Sequence, residues 1–312
     1  MNHLGFRLRR PTLDDAQAVC DLVAICDTED LGAPDIVLND VLNMWSGFDL
    51  DHNVWVAEDE NDDLVGYAFL EEDSEEKLFS YGCVRPSARG RGVGAALVAV
   101  LEARALALRD ESGQAKRLQG MIPSTCNDAV ALFEGLGFTP VRYFKRMALR
   151  LDAEPASGVI PEGFFLEPFV KGRDEQTVYE AYTEAFADHW DFAVPSLEKF
   201  VERTQLPTFD ERWWIIARDV EGTVAGFVLC RMSDDLLYVE HLGVCRRYRG
   251  RGLALALLQG AFASSYHAGQ FNVSLGVDAA NPTGAYRLYE KAGMKPENEI
   301  SIYEKTFPIS AS

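Results

Sequence analysis

Two glycine-rich segments are the residues of this sequence best suited to chemistry. They read Arg89-Gly-Arg-Gly-Val-Gly94 and Arg249-Gly-Arg-Gly-Leu-Ala254. Each lies between a predicted strand and a predicted helix, where unpaired backbone N–H groups and the helix dipole favour an anion. Glycine lets the backbone approach a ligand closely, and arginine adds positive charge for a phosphate. The two loops therefore predict binding of a phosphate-bearing molecule.

Two other interpretations of the loops compete with this one. A glycine-rich segment between a strand and a helix can simply turn the chain, and for one isolated copy that interpretation is as good as a ligand site. The first loop also fits the loose dinucleotide pattern G-x-G-x-x-G/A through Gly90, Gly92 and Ala95. The second loop does not, because Leu255 stands at the last position. The repetition favours phosphate binding over both alternatives.

The elements that must position the loops are repeated at one spacing. The strand glycines Gly66 and Gly226 are 160 positions apart (226 − 66), and so are Arg89 and Arg249 (249 − 89). In each copy a hairpin leads to a third strand, the loop, a helix, a short strand, another helix and a last strand. The repeat therefore predicts two similar domains.

The predicted elements have corresponding bounds in the two copies. In the first copy the strands are 53–57, 64–70, 78–84, 118–122 and 142–149, and the helices are 93–108 and 128–135. In the second copy the strands are 213–217, 223–229, 237–244, 273–277 and 300–306, and the helices begin at 253 and span 283–291. These elements predict an α/β fold, of the α+β kind with a mixed sheet. The predicted domains are residues 1–151 and 159–312, and each domain is expected to contain the last strand of its own copy. The segment 152–158 is the predicted linker.

Composition narrows the class of protein. A chain of 312 residues that is 47% hydrophobic can bury two cores. A formal charge of −19 repels nucleic acid and suits cationic small molecules. The longest apolar run, 95–101, stops at Glu102, so neither secretion nor membrane insertion is expected. Six cysteines without a C-x-x-C pair or a Cys/His cluster support neither a metal site nor a disulfide framework, and a reducing cytoplasm is the expected location.

Both loops resemble the acetyl-CoA loop of the GNAT superfamily, which has the pattern Arg/Gln-x-x-Gly-x-Gly/Ala after its fourth strand. The matching residues are Arg89, Gly92 and Gly94 in the first copy and Arg249, Gly252 and Ala254 in the second. Segments 127–138 and 281–294 are similar to the superfamily's Asn-containing junction and its Leu-Tyr-Glu-Lys-x-Gly-Phe helix. The resemblance covers nearly the whole chain and implies tandem GNAT domains that use acetyl-CoA as cosubstrate, without a metal.

The tandem arrangement, with a degenerate first copy, also resembles mycothiol synthase-like proteins, which acetylate an amino-sugar conjugate. Phe133 stands in the first copy where the superfamily has a tyrosine, and Ser80 is the expected equivalent of Glu240 (240 − 160). The first copy is therefore expected to lack both proton-transfer groups while keeping its phosphate loop. It could bind acetyl-CoA without efficient chemistry, or it could be purely structural.

The resemblance implies catalytic roles in the second copy. Tyr289 matches the general acid that protonates the departing thiolate, although a tyrosine on a helix can also merely pack. Glu240 is the first choice of base and His241 the second, and Glu240 could equally be solvated or ion-paired. Strand alternation puts these two residues on opposite faces, so that only one can face the cleft without a bulge. A backbone N–H within 242–244 would stabilise the oxyanion.

The residues expected to contact the cofactor follow from the same resemblance. They are Leu242, Val244, Arg249, Gly250, Arg251, Gly252, Ala254 and Asn281 in the second copy, and Val84, Arg89, Gly90, Arg91, Gly92 and Gly94 in the first. The asparagine could equally cap a helix beside Pro282. The aromatic and acidic segment 186–192 could hold an amine acceptor or belong to the core.

Three functions remain open at this point. The leading one is acetyl transfer from acetyl-CoA to the amine of a small molecule. A protein amino group is the alternative acceptor, and a non-catalytic acetyl-CoA-binding module is the alternative to an enzyme. Neither nucleic acid nor membrane is an expected partner, and nothing in the sequence indicates an oligomeric state.

Overall fold

The structure, a computed structural model, describes residues 5–34, 36–156, 158–206, 209–233, 235–281 and 284–309. It divides into two compact units. The first unit consists of residues 1–144 and 298–312, and the second unit consists of residues 145–297. Ser157 of the predicted linker, and Pro282 and Thr283 at the predicted start of a helix, lie outside the described residues.

The elements follow the predicted order in both copies. The strands are β1 (Phe6–Arg9), β2 (Val54–Asp59), β3 (Leu64–Glu72), β4 (Lys77–Val84), β5 (Lys116–Pro123), β6 (Thr139–Arg150), β7 (Phe164–Pro168), β8 (Trp214–Asp219), β9 (Val224–Ser233), β10 (Leu236–Val244), β11 (Asn272–Asp278) and β12 (Lys295–Phe307). The helices are α1 (Ala16–Leu31), α2 (Leu38–Ser46), α3 (Leu50–Asn53), α4 (Val93–Ser112), α5 (Asn127–Gly135), α6 (Glu175–Phe186), α7 (Leu197–Glu202), α8 (Leu253–His267) and α9 (Ala285–Lys291). The predicted mixed α/β fold is confirmed.

Each unit contributes a run of six neighbouring strands that contains a parallel pair. In the first unit the strand order is β1-β2-β3-β4-β5-β12, and in the second it is β6-β11-β10-β9-β8-β7. The pairs β4–β5 and β10–β11 are parallel. The hairpins β2–β3–β4 and β8–β9–β10 are antiparallel. This topology places the glycine-rich segment of each unit at the end of the strand that begins the parallel pair.

Helices cover both faces of the first unit's sheet. Apolar residues of α4 and α5, among them Leu97, Leu101 and Phe133, pack on one face. Residues of α1 and α2, including Val19 and Trp45, pack on the other. Burial of these side chains on both faces explains why β2 and β3 read as nearly continuous apolar runs. No helix in the described part of the chain is both long and apolar enough to cross a membrane.

The last strands divide differently from the prediction that each copy keeps its own. β12 pairs antiparallel with β5, from Ile300 opposite Pro123 to Phe307 opposite Lys116, and so completes the first unit. The β6 residues from Lys145 onward belong to the second unit. An alternating strand pattern specifies which face is buried but not which strand is the neighbour. The sequence pattern therefore fits either assignment of the last strands.

Candidate active site

The two glycine-rich loops have the same backbone conformation. Gly90 and Gly250 have φ values of 76° and 77°, and Gly92 and Gly252 have values of 86° and 87°. Such positive values favour glycine because a side chain would be strained there. Gly92 and Gly252 are the N-caps of α4 and α8, without a side-chain cap and without an acidic residue in the first turn. Both loops therefore leave the first backbone N–H groups of a helix available to an anion.

The first arginine of each loop forms a hydrogen bond with the carbonyl of the last residue of the preceding strand. The Arg89 guanidinium donates to the Val84 carbonyl over 3.3 Å and makes a bidentate ion pair of 2.9 and 2.7 Å with Asp30. The Arg249 guanidinium donates to the Val244 carbonyl over 3.1 Å and to a carbonyl at the end of α6 over 3.1 Å. In this structure both arginines hold the loop against the last carbonyl of the preceding strand.

The parallel strands of each unit part beyond their fourth pair. In the first unit the last pair of β4 and β5 is Ser80 opposite Gly120. In the second unit the last pair of β10 and β11 is Val239 opposite Leu275. The following residues of β4 and β10, which include Val84, Leu242 and Val244, border a gap on one side. Backbone groups on that side of the strand are free to bond a ligand instead of a neighbouring strand.

A cavity of about 800 Å³ lies in the first unit between the parted strands, α1, α4 and α5. Its volume is in the range of small-molecule sites. It is lined by five of the six cofactor residues predicted for this copy, namely Val84, Arg89, Gly90, Gly92 and Gly94. The sixth, Arg91, is exposed.

At the inner wall of this cavity, the aromatic ring of Phe133 packs against Gly120. A Cβ atom on Gly120 would lie 2.5 Å from the ring of Phe133, so the ring packs directly on the β5 backbone. Phe133 is the residue that the sequence places in register with Tyr289. The first unit therefore has an apolar ring at the position of the predicted acid.

Tyr289 lies on α9 and is buried in the core of the second unit, with 8% of its surface exposed. Burial, assisted by the nearby Tyr238, raises the pKa of Tyr289 to about 12. Within the described residues its hydroxyl has no hydrogen-bond partner. The side chain thus holds its proton at physiological pH and has it available to donate.

Glu240 is the extra residue of a β-bulge. In the pairing of β10 with β9, Val239 lies opposite Cys230 and His241 lies opposite Leu229, so Glu240 has no partner of its own. A bulge of this kind breaks the alternation of side chains along the strand. The expectation that Glu240 and His241 face opposite ways without a bulge therefore does not apply here.

The bulge also corrects the expected equivalence between the two copies. The pairing of β3 with β4 runs without a register shift through residues 66–84, and Leu70 lies opposite Ser80. The matching pair in the second unit is Cys230 opposite Val239. Ser80 therefore corresponds to Val239, and its predicted equivalence to Glu240 is wrong. Glu240 is an insertion with no counterpart in the first unit.

Glu240 is held between two arginines. Its carboxylate accepts from Arg203 over 2.6 Å and lies 3.4 Å from the Arg231 guanidinium. The same Arg203 nitrogen lies 3.4 Å from Nδ1 of His241, whose Nε2 is 3.3 Å from the Tyr182 hydroxyl. Burial, together with the charge of Arg203, lowers the pKa of His241 to about 3. The bulge thus places an ion-paired carboxylate and a neutral imidazole side by side.

The remaining predicted contacts lie near the loop and α9. Ala254 is in the first turn of α8, and Arg251 is exposed on the loop. The backbone N–H of Asn281 donates to the Asp278 carbonyl over 3.0 Å. Whether any of these residues contacts a cofactor stays a prediction.

The segment 186–192 packs around the imidazole. The rings of Phe186 and His241 have centroids 5.4 Å apart, and Phe192 lies 5.6 Å from Tyr182. Asp188 is paired with Arg246 over 2.7 Å. The aromatic residues pack against His241 and Tyr182, while Asp188 is engaged in an ion pair.

Sequence reasoning missed the groups that surround the bulge. Arg203 lies 37 positions before Glu240, on a segment that the repeat does not cover. Arg231 and Tyr182 belong to elements that read only as structural. No local signal joins these side chains, because their proximity arises from strand pairing and helix docking. No group of three or more metal-ligating side chains is found in the described ranges.

Comparison with known proteins gives matches in both halves. A family model described as an acetyltransferase (GNAT) domain matches residues 50–140, and one described as the acetyltransferase (GNAT) family matches residues 176–294. A mycothiol acetyltransferase of Thermobispora bispora is 34% identical over 243 residues, which are 75% of this chain and 77% of the relative. A mycothiol acetyltransferase of Pseudarthrobacter chlorophenolicus is 28% identical over 290 residues, which are 88% of this chain and 87% of the relative.

Solved structures give the same picture. A GCN5-related N-acetyltransferase from Sphaerobacter thermophilus is similar with a TM-score of 0.85 and 32% identity, covering 99% of this chain and 97% of that one. A tandem GNAT protein from the clavulanic acid biosynthesis pathway has a TM-score of 0.71 at 15% identity, covering 98% and 99% of the two chains. The second likeness concerns the fold alone.

Proposed function

The chain belongs to the GNAT acetyltransferase family, and from this premise we propose that its second unit transfers an acetyl group from acetyl-CoA to the amine of a small molecule. The family confirms the predicted tandem of GNAT domains and the class of enzyme, an acyltransferase. The observation that carries the proposal is Tyr289, a buried tyrosine with a retained proton and an unpaired hydroxyl. A group of this kind suits protonation of a departing thiolate.

The second unit fits acetyl-CoA by its backbone. The N–H groups that follow Gly250 and Gly252 would hold the pyrophosphate at the start of α8, where no side-chain cap competes. The free side of β10 from Leu242 to Val244 would bond the amide-containing arm. Bound acetyl-CoA would supply an acetyl group activated as a thioester.

Protons would move through two side chains of the second unit. Glu240 takes the proton of the incoming ammonium, directly or through water, because its side chain remains 26% exposed. His241 is the weaker candidate, since burial keeps its imidazole neutral and a pKa of about 3 makes it a poor proton acceptor. Tyr289 donates the proton that the leaving sulfur needs. A backbone N–H of β10 that faces the gap stabilises the negative charge on the carbonyl oxygen.

The acceptor is proposed to be an amine such as an amino sugar or a thiol conjugate. Relatives named as mycothiol acetyltransferases support this class. The charge of −19 favours a cationic acceptor and disfavours nucleic acid or an anionic membrane as partner. A cytoplasmic location belongs to the same proposal.

The first unit is proposed to bind acetyl-CoA without transferring its acetyl group. Its cavity supports binding, and the absence of a tyrosine at position 133 and of an equivalent of Glu240 disfavours chemistry. A purely structural role is the alternative. Ligand binding by each unit can be measured separately with one loop variant for each, Gly92→Asn in the first unit and Gly252→Asn in the second.

The test is a screen of amine acceptors with the purified full chain, following release of the free thiol of CoA. The proposal expects turnover with a small amine that falls when Tyr289 is replaced by phenylalanine. Turnover only with peptides would favour a protein amino group as acceptor. Failure with every acceptor, while acetyl-CoA still raises the melting temperature, would favour a non-catalytic binding module.

A further inference from the structure

The cavity of the first unit is polar beside the glycine-rich loop and apolar where it reaches the core. Beside the loop it is lined by the ion-paired residues Asp30 and Arg89. Between α4 and the sheet it is lined by Ala68, Leu97 and Leu101, which are buried in one apolar cluster. A ligand anchored by its phosphates at the loop can therefore extend an apolar group into the core of this unit.

Ser80 also lines the apolar end, but its hydroxyl already has a partner. The residue is 3% exposed, and the hydroxyl donates to the Gln119 carbonyl over 2.8 Å. A buried hydroxyl without a partner would favour a polar ligand, since leaving it unpaired is costly. With that hydroxyl satisfied, and with Ile122 and Phe133 as further walls, the inner end suits a hydrocarbon group.

Strand pairing identifies the counterparts of two wall residues in the second unit. Ser80 opposite Gly120 and Val239 opposite Leu275 are the last pairs of the two parallel ladders. Ser80 therefore corresponds to Val239, and Gly120 corresponds to Leu275. Both positions carry the smaller residue in the first unit, so β4 and β5 leave space where β10 and β11 have larger buried side chains.

Ala68 on β3 differs from its counterpart in the same direction. Ala68 lies opposite Gly82, and in the second unit Val228 lies opposite Leu242. Ala68 and Gly82 both line the cavity. Three neighbouring strands of the first unit thus carry small residues at this end, where the strands of the second unit carry branched ones.

The helices that cover these strands offset only part of the difference. Leu101 of α4 is larger than Ala261 of α8, which lies at the same spacing of 160 (261 − 101). Val98, in contrast, is smaller than Leu258 at that spacing. The additional space in the first unit therefore comes from its sheet.

The ring of Phe133 lies in the space that the glycine leaves. A Cβ atom on Gly120 would be 2.5 and 2.9 Å from two atoms of the ring, closer than such atoms approach in proteins. Tyr289, the counterpart of Phe133, cannot lie against its strand in this way, because Leu275 has a side chain there. The ring of the first unit is therefore drawn back against β5, and the space in front of it belongs to the cavity.

We propose that the first unit prefers a CoA thioester with an acyl group longer than acetyl, such as butyryl, whose chain lies among Ala68, Ser80 and Phe133. This preference rests on the proposed binding of a CoA thioester by the first unit and narrows the class of its ligand. Acetyl-CoA fits the same loop but leaves the inner end of the cavity unfilled. Every residue of the site belongs to the first unit, so the preference is independent of acetyl transfer by the second.

The preference is measured in the full chain carrying Gly252→Asn, in which the asparagine is expected to block the second loop. Calorimetric titration gives the dissociation constants of acetyl-CoA and butyryl-CoA. Each buried methylene contributes about fourfold to affinity, so the additional methylenes of butyryl should tighten binding about tenfold. The chain carrying Gly92→Asn, in which the first loop is blocked instead, should show no such preference.

One added methyl group should remove the preference. The Cβ of Gly120→Ala should push the Phe133 ring into the cavity, so that the affinities for the two thioesters differ by less than about twofold, while free CoA binds at the loop as before. Gly135→Ala is the matched control and should keep the preference, since a Cβ there meets nothing within 4 Å. Ala68→Val introduces the residue of the second unit and tests the same space if Gly120→Ala fails to fold.

The possible failures are distinguishable. Equal affinity for the two thioesters in the Gly252→Asn chain would overturn the preference while leaving CoA binding by the first unit intact. A preference that survives both Gly120→Ala and Ala68→Val, or one that appears only in the Gly92→Asn chain, would place the acyl chain elsewhere. Loss of every CoA ligand from the Gly252→Asn chain would contradict the proposed binding by the first unit, and the preference with it.

Discussion

A single hydroxyl group distinguishes the aromatic residues at corresponding positions of the two units. Tyr289 on α9 and Phe133 on α5 are both buried, at 8% exposure each, so the ring itself packs in both units. A phenylalanine is therefore structurally acceptable at this position of the fold. Removing the hydroxyl of Tyr289 should test chemistry without testing packing.

We expect Tyr289→Phe to lower kcat by about two to four orders of magnitude, the usual effect of losing a positioned acid. The affinity for acetyl-CoA should change little, because the ring volume is kept. Steady-state kinetics and calorimetric titration measure the two quantities. Phe133→Tyr is the matched control and should not create activity, since the first unit has no equivalent of the Glu240 bulge. Full turnover in Tyr289→Phe would disprove the assigned acid.

The pH dependence of Tyr289 gives a second prediction. An acid with a pKa of about 12 is still about 99% protonated at pH 10. Turnover should therefore rise with pH as the acceptor amine loses its proton and should then stay level through pH 10. An ordinary tyrosine would already be half ionised there. A decline of kcat between pH 8 and pH 10 that disappears in Tyr289→Phe would contradict the raised pKa.

The base is tested at the bulge. Glu240→Gln should depress turnover about a hundredfold, and most strongly at low pH, where the amine is mostly protonated and a base is most needed. His241→Asn is the control, because an imidazole that stays neutral above a pKa of about 3 cannot shape the profile between pH 5 and 9. Rates measured across that range decide between them. A loss confined to His241→Asn would transfer the role to the imidazole.

At the level of elements, the hairpins, loops and following helices could be predicted because glycine spacing and apolar periodicity are local signals. The bulge could not. Leu78 lies opposite Glu72 in the first unit, whereas Leu237 lies opposite Met232 in the second, so the second turn is one residue shorter. The inserted Glu240 compensates for the missing turn residue, so the residues after it are again 160 positions from their counterparts in the first unit. The spacing of 160 residues between the two copies is therefore the same before and after this region, although the second copy has one residue fewer in the turn and one residue more in β10.

The loops give a prediction about which unit binds the cofactor. Asparagine tolerates positive φ, and at an N-cap its side chain accepts from the first N–H groups of the helix. Gly252→Asn should therefore occupy the groups that an anion needs while keeping the loop conformation. We expect it to remove the part of the acetyl-CoA-dependent rise in melting temperature that the second unit contributes.

Gly92→Asn is the corresponding change in the first unit, where φ is 86° against 87° for Gly252. Differential scanning fluorimetry measures the acetyl-CoA-dependent rise in melting temperature in each single variant. The loss in each variant gives the contribution of the loop that was changed. A full rise in both single variants and in the double variant would show that neither loop is the anchoring site for acetyl-CoA.

At the level of the whole molecule, the last strand of the chain belongs to the first unit. Tyr303 and Phe307 of β12 are buried, at 4% and 7% exposure, in the cluster that contains Leu101 and Phe133. Sequence patterns identified this strand but assigned it to the second domain, because the register of a strand is set by its partner and the partner is distant in sequence.

A fragment of residues 1–151 should therefore lack a cooperative melting transition, since it loses two buried aromatic residues and leaves the edge of β5 unpaired. The same fragment extended by a flexible linker and residues 298–309 should melt cooperatively. Circular dichroism on heating measures both. If the shorter fragment melts as sharply as the extended one, β12 is not required for the first unit to fold.

The position of β12 also has a consequence during synthesis. A ribosome must translate the whole of residues 145–297 before it reaches the strand that pairs with β5, which takes roughly 8 to 30 s at about 5 to 20 residues per second. Throughout that interval the nascent chain exposes the edge of β5 and the apolar groove that Tyr303 and Phe307 later fill. The first unit therefore stays incomplete until β12 has been made, and during that interval the unpaired edge of β5 is open to pairing with a strand of another chain.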